Sequence, residues 1–224
     1  ALTASLALTG TFTEGTTDII SFFNKIYVTT TTDVAIMNTD LTAGDSTWWS
    51  VTATGTGAPF GVLTTGVRHP MIIFQDYIWV ADNNRIHQIT SGAGGVKSKL
   101  TLGSSHNITA LGLDSGNGYM LIGTSVGLDY SGTIPTDNYI MIYDGISNQP
   151  LRTVAVEGTI NAFYNIGGTV FVTYGNKLGY WNGSGVTYLR TFKNVTLTGS
   201  DLAYKHHICA IDNTLYVVDG NQVL

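Results

Sequence analysis

An all-β fold is predicted for this 224-residue chain of 23.9 kDa, and three observations carry the prediction. The composition sets 33 Thr and 27 Gly against 2 Glu and 6 Lys, so strand and turn formers abound while strong helix formers are scarce. A pattern of apolar strand, short turn and a second apolar strand led by Asn or Asp recurs. It reads KIYVTTTTDVAIM from Lys25, YIWVADNNRIHQI from Tyr77, VFVTYGNKLGYW from Val170 and LYVVDGNQVL from Leu215, while YMLIGTSVG from Tyr119 matches the first strand only. The equivalent positions Tyr27, Trp79, Leu121, Phe171 and Tyr216 are separated by 52, 42, 50 and 45 residues. A mean spacing of about 47 is the length of a four-stranded propeller blade.

Each repeat fills out to four strands. An apolar run precedes the motif: DIISFF from Asp18, PMIIFQ from Pro70, ITALGL from Ile108, INAFYNI from Ile160 and HICAI from His207. A more polar strand follows it: WWSVTAT from Trp48, KSKLTLG from Lys97, PLRTVAV from Pro150 and TYLRTF from Thr187. The gradient has a physical cause. Inner strands of a blade are covered on both faces and read as continuous apolar runs, whereas the outer strand meets water. The fifth repeat lacks its outer strand, and SLALTGTF from Ser5 looks like an outer strand with no inner ones before it. Residues 1–224 are therefore expected to form one domain, a β-propeller of five four-stranded blades. Pairing of its N- and C-terminal strands would close the ring and remove exposed edges. The alternative is part of a six- or seven-bladed ring.

The formal charge of −5, with only 11% charged residues, argues against nucleic acid as partner, which needs a clustered basic surface. No apolar run approaches the roughly 20 residues of a membrane span. The single cysteine, Cys209, excludes an internal disulfide and is expected as a small buried hydrophobe. The start at Ala1, without Met or an apolar leader, is expected of a processed chain or a piece of a longer one.

VADNNRIHQI from Val80 resembles the signature of NHL-type propellers, and VVDGNQV from Val217 is a weaker copy. In spacing and blade number the chain is similar to tachylectin-type sugar-binding propellers. YDGISNQPLRTV from Tyr143 and YWNGSGVTYLRTF from Tyr180 look similar to repeats of bacteriophage virion propellers, a group that the low charge and high Thr and Gly also suit. These resemblances imply a propeller on a virion or extracellular surface. TDLTAGDSTWWS from Thr39 resembles the Asp-box turn of sialidases, but the step from Asp40 to Gly44 is too long, and that box is a folding element.

Candidate chemistry is sparse. Asp33, Asp82 to Asn84, Gly175 with Asn176, and Gly220 with Asn221 fall where hairpin turns belong, since these residues tolerate a left-handed backbone. On one rim they would also present oxygen ligands to calcium, but no closely spaced acidic series accompanies them, and no metal or cofactor is expected. Of the histidines His69, His87, His106, His206 and His207, the last two are adjacent on a strand and point to opposite faces. SGAGGVKSK from Ser91 fails as a phosphate loop, because Val96 separates its glycines from Lys97 and a strand follows. Three sequons, at Asn107, Asn182 and Asn194, are what the Ser, Thr and Asn content gives by chance.

Two features stand above this background. The third repeat carries extra sequence between its middle strands, Thr124 to Asn138, which would raise Asp129, Tyr130, Asp137 and Asn138 on one rim. Adjacent Trp48 and Trp49 on an outer strand require one ring to face outward, and Trp49 is the candidate to stack on a sugar or anchor a protein. The sequence thus points to a non-enzymatic module on a virion or extracellular surface that binds a protein partner or surface glycan; the alternatives are a propeller hydrolase or lyase with a site on one rim of the channel, and a structural scaffold within a larger assembly.

Overall fold

The computed structural model describes residues 17–38, 45–50, 63–89, 96–128, 135–192, 208–212, 214–219 and 222–223, and every regular element among them is a strand. The first sheet is the meander β1 (Asp18–Phe22), β2 (Lys25–Thr29), β3 (Asp33–Asn38) and β4 (Asp45–Ser50). The second comprises β5 (Met71–Phe74), β6 (Tyr77–Asp82), β7 (Arg85–Ile89) and β8 (Val96–Thr101). The third holds β9 (His106–Asp114), β10 (Tyr119–Val126), β11 (Asp137–Tyr143) and β12 (Arg152–Val156). The fourth holds β13 (Ile160–Ile166), β14 (Thr169–Tyr174), β15 (Lys177–Trp181) and β16 (Val186–Thr191). A fifth sheet shows three strands among the described residues: β17 (Ile208–Ile211), β18 (Thr214–Asp219) and β19 (Gln222–Val223).

All pairings are antiparallel between sequence neighbours, so each sheet is a local meander. The β1–β2 and β5–β6 hairpins turn on pairs of left-handed residues, Phe23 with Asn24 and Gln75 with Asp76, as two-residue hairpin loops require. The sheets meet through their first strands: β1 lies against β5, β5 against β9, β9 against β13, and β13 against β17. First strands of all five sheets line one cavity of about 370 Å³. Sheets arranged this way about an axis form a β-propeller, here with four four-stranded blades and a partial fifth sheet.

The core lies between blades, with one apolar cluster per junction. Tyr27 and Val34 of the first blade meet Met71, Ile78 and Val80 of the second. Trp79, Ile86 and Leu100 meet Met120, Ile122 and Tyr143 of the third. Leu121 and Ile140 meet Ile160, Val172 and Trp181 of the fourth, and Leu178 meets Ile208 and Val217 of the fifth sheet. At the third junction two glycines set the spacing. A Cβ on Gly112 would stand 2.5 Å from the Phe163 ring, and one on Gly123 would stand 2.6 Å from Ile160 Cβ.

Three expectations change. Cys209 is exposed, because Ile208 takes the inward position on β17 and the alternation of the strand turns the thiol away from the core. The outer strand of the first blade begins at Asp45, three residues before Trp48. The extra sequence of the third blade is shorter than Thr124 to Asn138, since the β10–β11 ladder continues through Ser125 with Asn138 and Val126 with Asp137. Segment 5–12, expected to pair with the C-terminal strands, lies outside the described residues.

Candidate functional site

Where the chain enters β5, His69 is fully buried. Its Nδ1 stands 2.7 Å from the Thr30 carbonyl oxygen, which only accepts, so Nδ1 carries hydrogen there. Its Nε2 is 3.3 Å from Asp82 Oδ1, the oxygen that also accepts the Thr64 backbone N–H at 2.9 Å. His87 Nε2 is 4.0 Å from Asp82 Oδ2. Burial alone would raise the Asp82 carboxyl, but the His69 ring and Thr64 outweigh it and hold it below the ordinary carboxylate value. Burial pushes His87 down to about 4, helped by Arg85 and His69 and opposed by Asp82. Asp82 and His87, a carboxylate and an imidazole of the kind acid–base chemistry uses, therefore lie side by side. Yet the set is sealed, with Asp82 and His87 only 4% and 2% exposed, and its geometry pins the first blade to the second.

The rim residues of the third blade fall into three groups. Asp137 is exposed at the start of β11. Asn138 is buried, and its Oδ1 accepts the Ser125 hydroxyl at 2.6 Å and the Thr159 hydroxyl at 3.2 Å, tying β10 and β11 to the connection that leads into the fourth blade. Asp129 and Tyr130 lie outside the described residues. The feet of the insertion are fixed: Gly127 N donates to Ser105 O at 3.0 Å, and Thr136 N donates to Val126 O at 3.1 Å. Trp49 lies on β4 of the first blade opposite Val34, and its side chain is outside the described residues.

Beside the insertion runs a groove of about 650 Å³ between the third and fourth blades. Its walls include Val156 at the end of β12, Glu157 just after it, Tyr174 at the end of β14, Lys177 on β15, and Val186 and Tyr188 on β16. Asn138 pairs with Val156, so the base of the insertion and the acidic wall of the groove are neighbours across the β11–β12 ladder. Lys177 Nζ donates to Glu157 Oε2, which lowers the Glu157 carboxyl and raises the Lys177 ammonium. Tyr188 is 54% exposed, and its hydroxyl lies 3.0 Å from Thr191 Oγ1. Burial raises the Tyr174 hydroxyl. This set offers a flat aromatic face, an acid, an ammonium and hydroxyls at one opening, the equipment of a polar ligand site. Sequence reasoning missed it because its residues come from four strands of two repeats, and no local spacing joins Glu157 to Tyr188. Among the described residues, no group of three or more His, Cys, Asp or Glu is placed to hold a metal ion.

No protein-family model matches the chain, and no curated protein sequence matches it. Solved structures do. The extracellular domain of a hybrid two-component system from B. thetaiotaomicron aligns over 92% of this chain with a TM-score of 0.62 and 13% identity; the match covers 26% of that domain, so this chain spans about a quarter of its length. An α-L-arabinofuranosidase from Clostridium thermocellum aligns over 94% of this chain and 82% of its own, with a TM-score of 0.53 and 10% identity. A chain of a nidogen–laminin complex aligns over 92% of this chain and 72% of its own, with a TM-score of 0.55 and 12% identity. Identities this low speak for the fold alone, and they agree with the geometry: the chain is a β-propeller.

Proposed function

We propose that the chain is a non-enzymatic propeller that binds or assembles at a virion or extracellular surface, and that a surface glycan or protein partner docks on the rim insertion and the groove beside it. The observation that carries this reading is the groove itself, where exposed Tyr188, the Glu157–Lys177 pair and Tyr174 share one opening with Val156, the partner of Asn138 across the β11–β12 ladder. Asp137, Asp129 and Tyr130 would extend the surface above it, Asn138 would hold the insertion in place, and Trp49 would supply a separate aromatic contact. The likeness of Val80–Ile89 to NHL-type blades and of the later repeats to phage virion propellers belongs to the same proposal. Structural neighbours that include an extracellular domain and a member of a nidogen–laminin complex support a surface setting.

The proposal includes closure of the ring as five blades, with segment 5–12 completing the fifth sheet. The first blade supports it. Ile20 and Phe22 pack toward the second blade, while the other face carries Val28, Ala35 and Met37, exposed by only 5%, 0% and 3%. A sheet at the end of an open arc would leave that face to water. Glycan-array binding is the test: retention on the array by the native chain, lost in Tyr188→Ala, is the expected result. A flat array removes the glycan and leaves the protein partner. Full binding by Tyr188→Ala removes the groove.

A further inference from the structure

We propose that the central channel is a binding site for a small organic cation, a primary ammonium carried on a compact apolar body. The site is separate from the rim and stands or falls without it. The channel cavity of about 370 Å³ has the size of a small-molecule site. Asp18 is the one charged residue among the described residues that line it. Each Asp18 oxygen accepts a single backbone N–H at 2.8 Å, Ile19 at Oδ1 and Met71 at Oδ2, which leaves lone pairs for a ligand. Burial raises this carboxyl to about 6, so it remains mostly ionised at neutral pH.

Two further polar residues are among those that line the same cavity. Thr109 and Asn161 occupy corresponding places, each the extra residue where an innermost strand bulges against its neighbour. Thr109 is fully buried and Asn161 is 1% exposed. Asn161 Nδ2 donates to the Gly175 carbonyl at 3.1 Å, but its Oδ1 and the Thr109 hydroxyl find no partner among the described residues. A buried acceptor without a donor is destabilising, so both positions call for a ligand or solvent hydrogen. The open groups are thus a carboxylate, an amide oxygen and a hydroxyl. An anion would be repelled, and a neutral polyol would leave the charge uncompensated. An ammonium supplies both the positive charge and three N–H donors. Ile20, Met71 and Phe163 on the walls accommodate an apolar body.

The test is calorimetric titration of the intact chain with 2-phenylethylammonium and with its neutral isostere, 2-phenylethanol. Saturable binding of the ammonium is expected, with the alcohol at least about tenfold weaker. Asp18→Asn is expected to lose at least about tenfold in affinity and Thr109→Val a few-fold, each with the far-ultraviolet circular dichroism of the native chain. If Asp18→Asn does not fold, Thr109→Val and the alcohol comparison decide. Absence of saturable ammonium binding, equal binding of the alcohol, or unchanged affinity in the folded variants overturns the proposal.

Discussion

His87 stays neutral well into the acid range, and replacing it with a residue that cannot take a proton should reshape acid unfolding. Its folded pKa is pushed down to about 4 from 6.5, mainly by burial. Above 6.5 both states hold the neutral ring. Between 6.5 and 4 the unfolded chain takes up a proton that the folded one refuses, so stability is lost as pH falls. At 1.36 kcal/mol per pH unit the loss amounts to at most about 3 kcal/mol. Asp18 acts in the opposite direction. Burial raises its folded pKa from 3.8 to about 6, so its contribution is fully present below 3.8 and is lost as pH rises through 6. That swing is also at most about 3 kcal/mol. The two windows overlap, and the native chain hides both effects. Urea unfolding at pH 7.5, 5.5 and 4.0 separates them. Relative to the native chain, His87→Leu should gain up to about 3 kcal/mol between pH 7.5 and 4.0, and Asp18→Asn should lose a similar amount. A difference between His87→Leu and the native chain that stays flat across this range would refute the reasoning.

Three further substitutions probe the blade junctions by thermal or urea unfolding. Gly123→Ala places a methyl 2.6 Å from Ile160 and should destabilise by about 1–3 kcal/mol, with no effect expected only if the third and fourth blades are farther apart. Trp79→Ala removes a fully buried ring that packs on Phe74 and Tyr143 and donates to Phe74 O at 2.8 Å; a loss of about 3–5 kcal/mol is expected. Asn138→Ala leaves the Ser125 and Thr159 hydroxyls without their shared acceptor and should cost about 1–3 kcal/mol, whereas a loss within experimental error would place Asn138 outside the network.

Much of the fold is legible in the sequence because propeller blades repeat locally. The apolar runs at Asp18, Ile160 and His207 became β1, β13 and β17 within a residue or two, and the polar runs at Lys97 and Thr187 became β8 and β16. Local period and turn chemistry decide such elements, and Asn83 and Gly175 adopt the left-handed backbone their turn positions require. The sites are less legible. Asp82 reads as a turn residue, and only the fold brings to it His69 from the segment before β5 and His87 from β7. Thr109 and Asn161 look like ordinary strand residues, yet bulges set them on the channel. Cys209 illustrates the limit of composition, since a thiol in an apolar run became exposed once β17 chose its inward residue.

The central claim is that first strands of successive sheets surround one channel, bringing the first sheet round to face the fifth. Spin labels on the native Cys209 and on Ile19→Cys test it directly, because both positions line the channel and Ile19 is 64% exposed. The account predicts one narrow distance peak within about two sheet spacings of roughly 10 Å each. A broad distribution, or one centred well beyond that span, would contradict it.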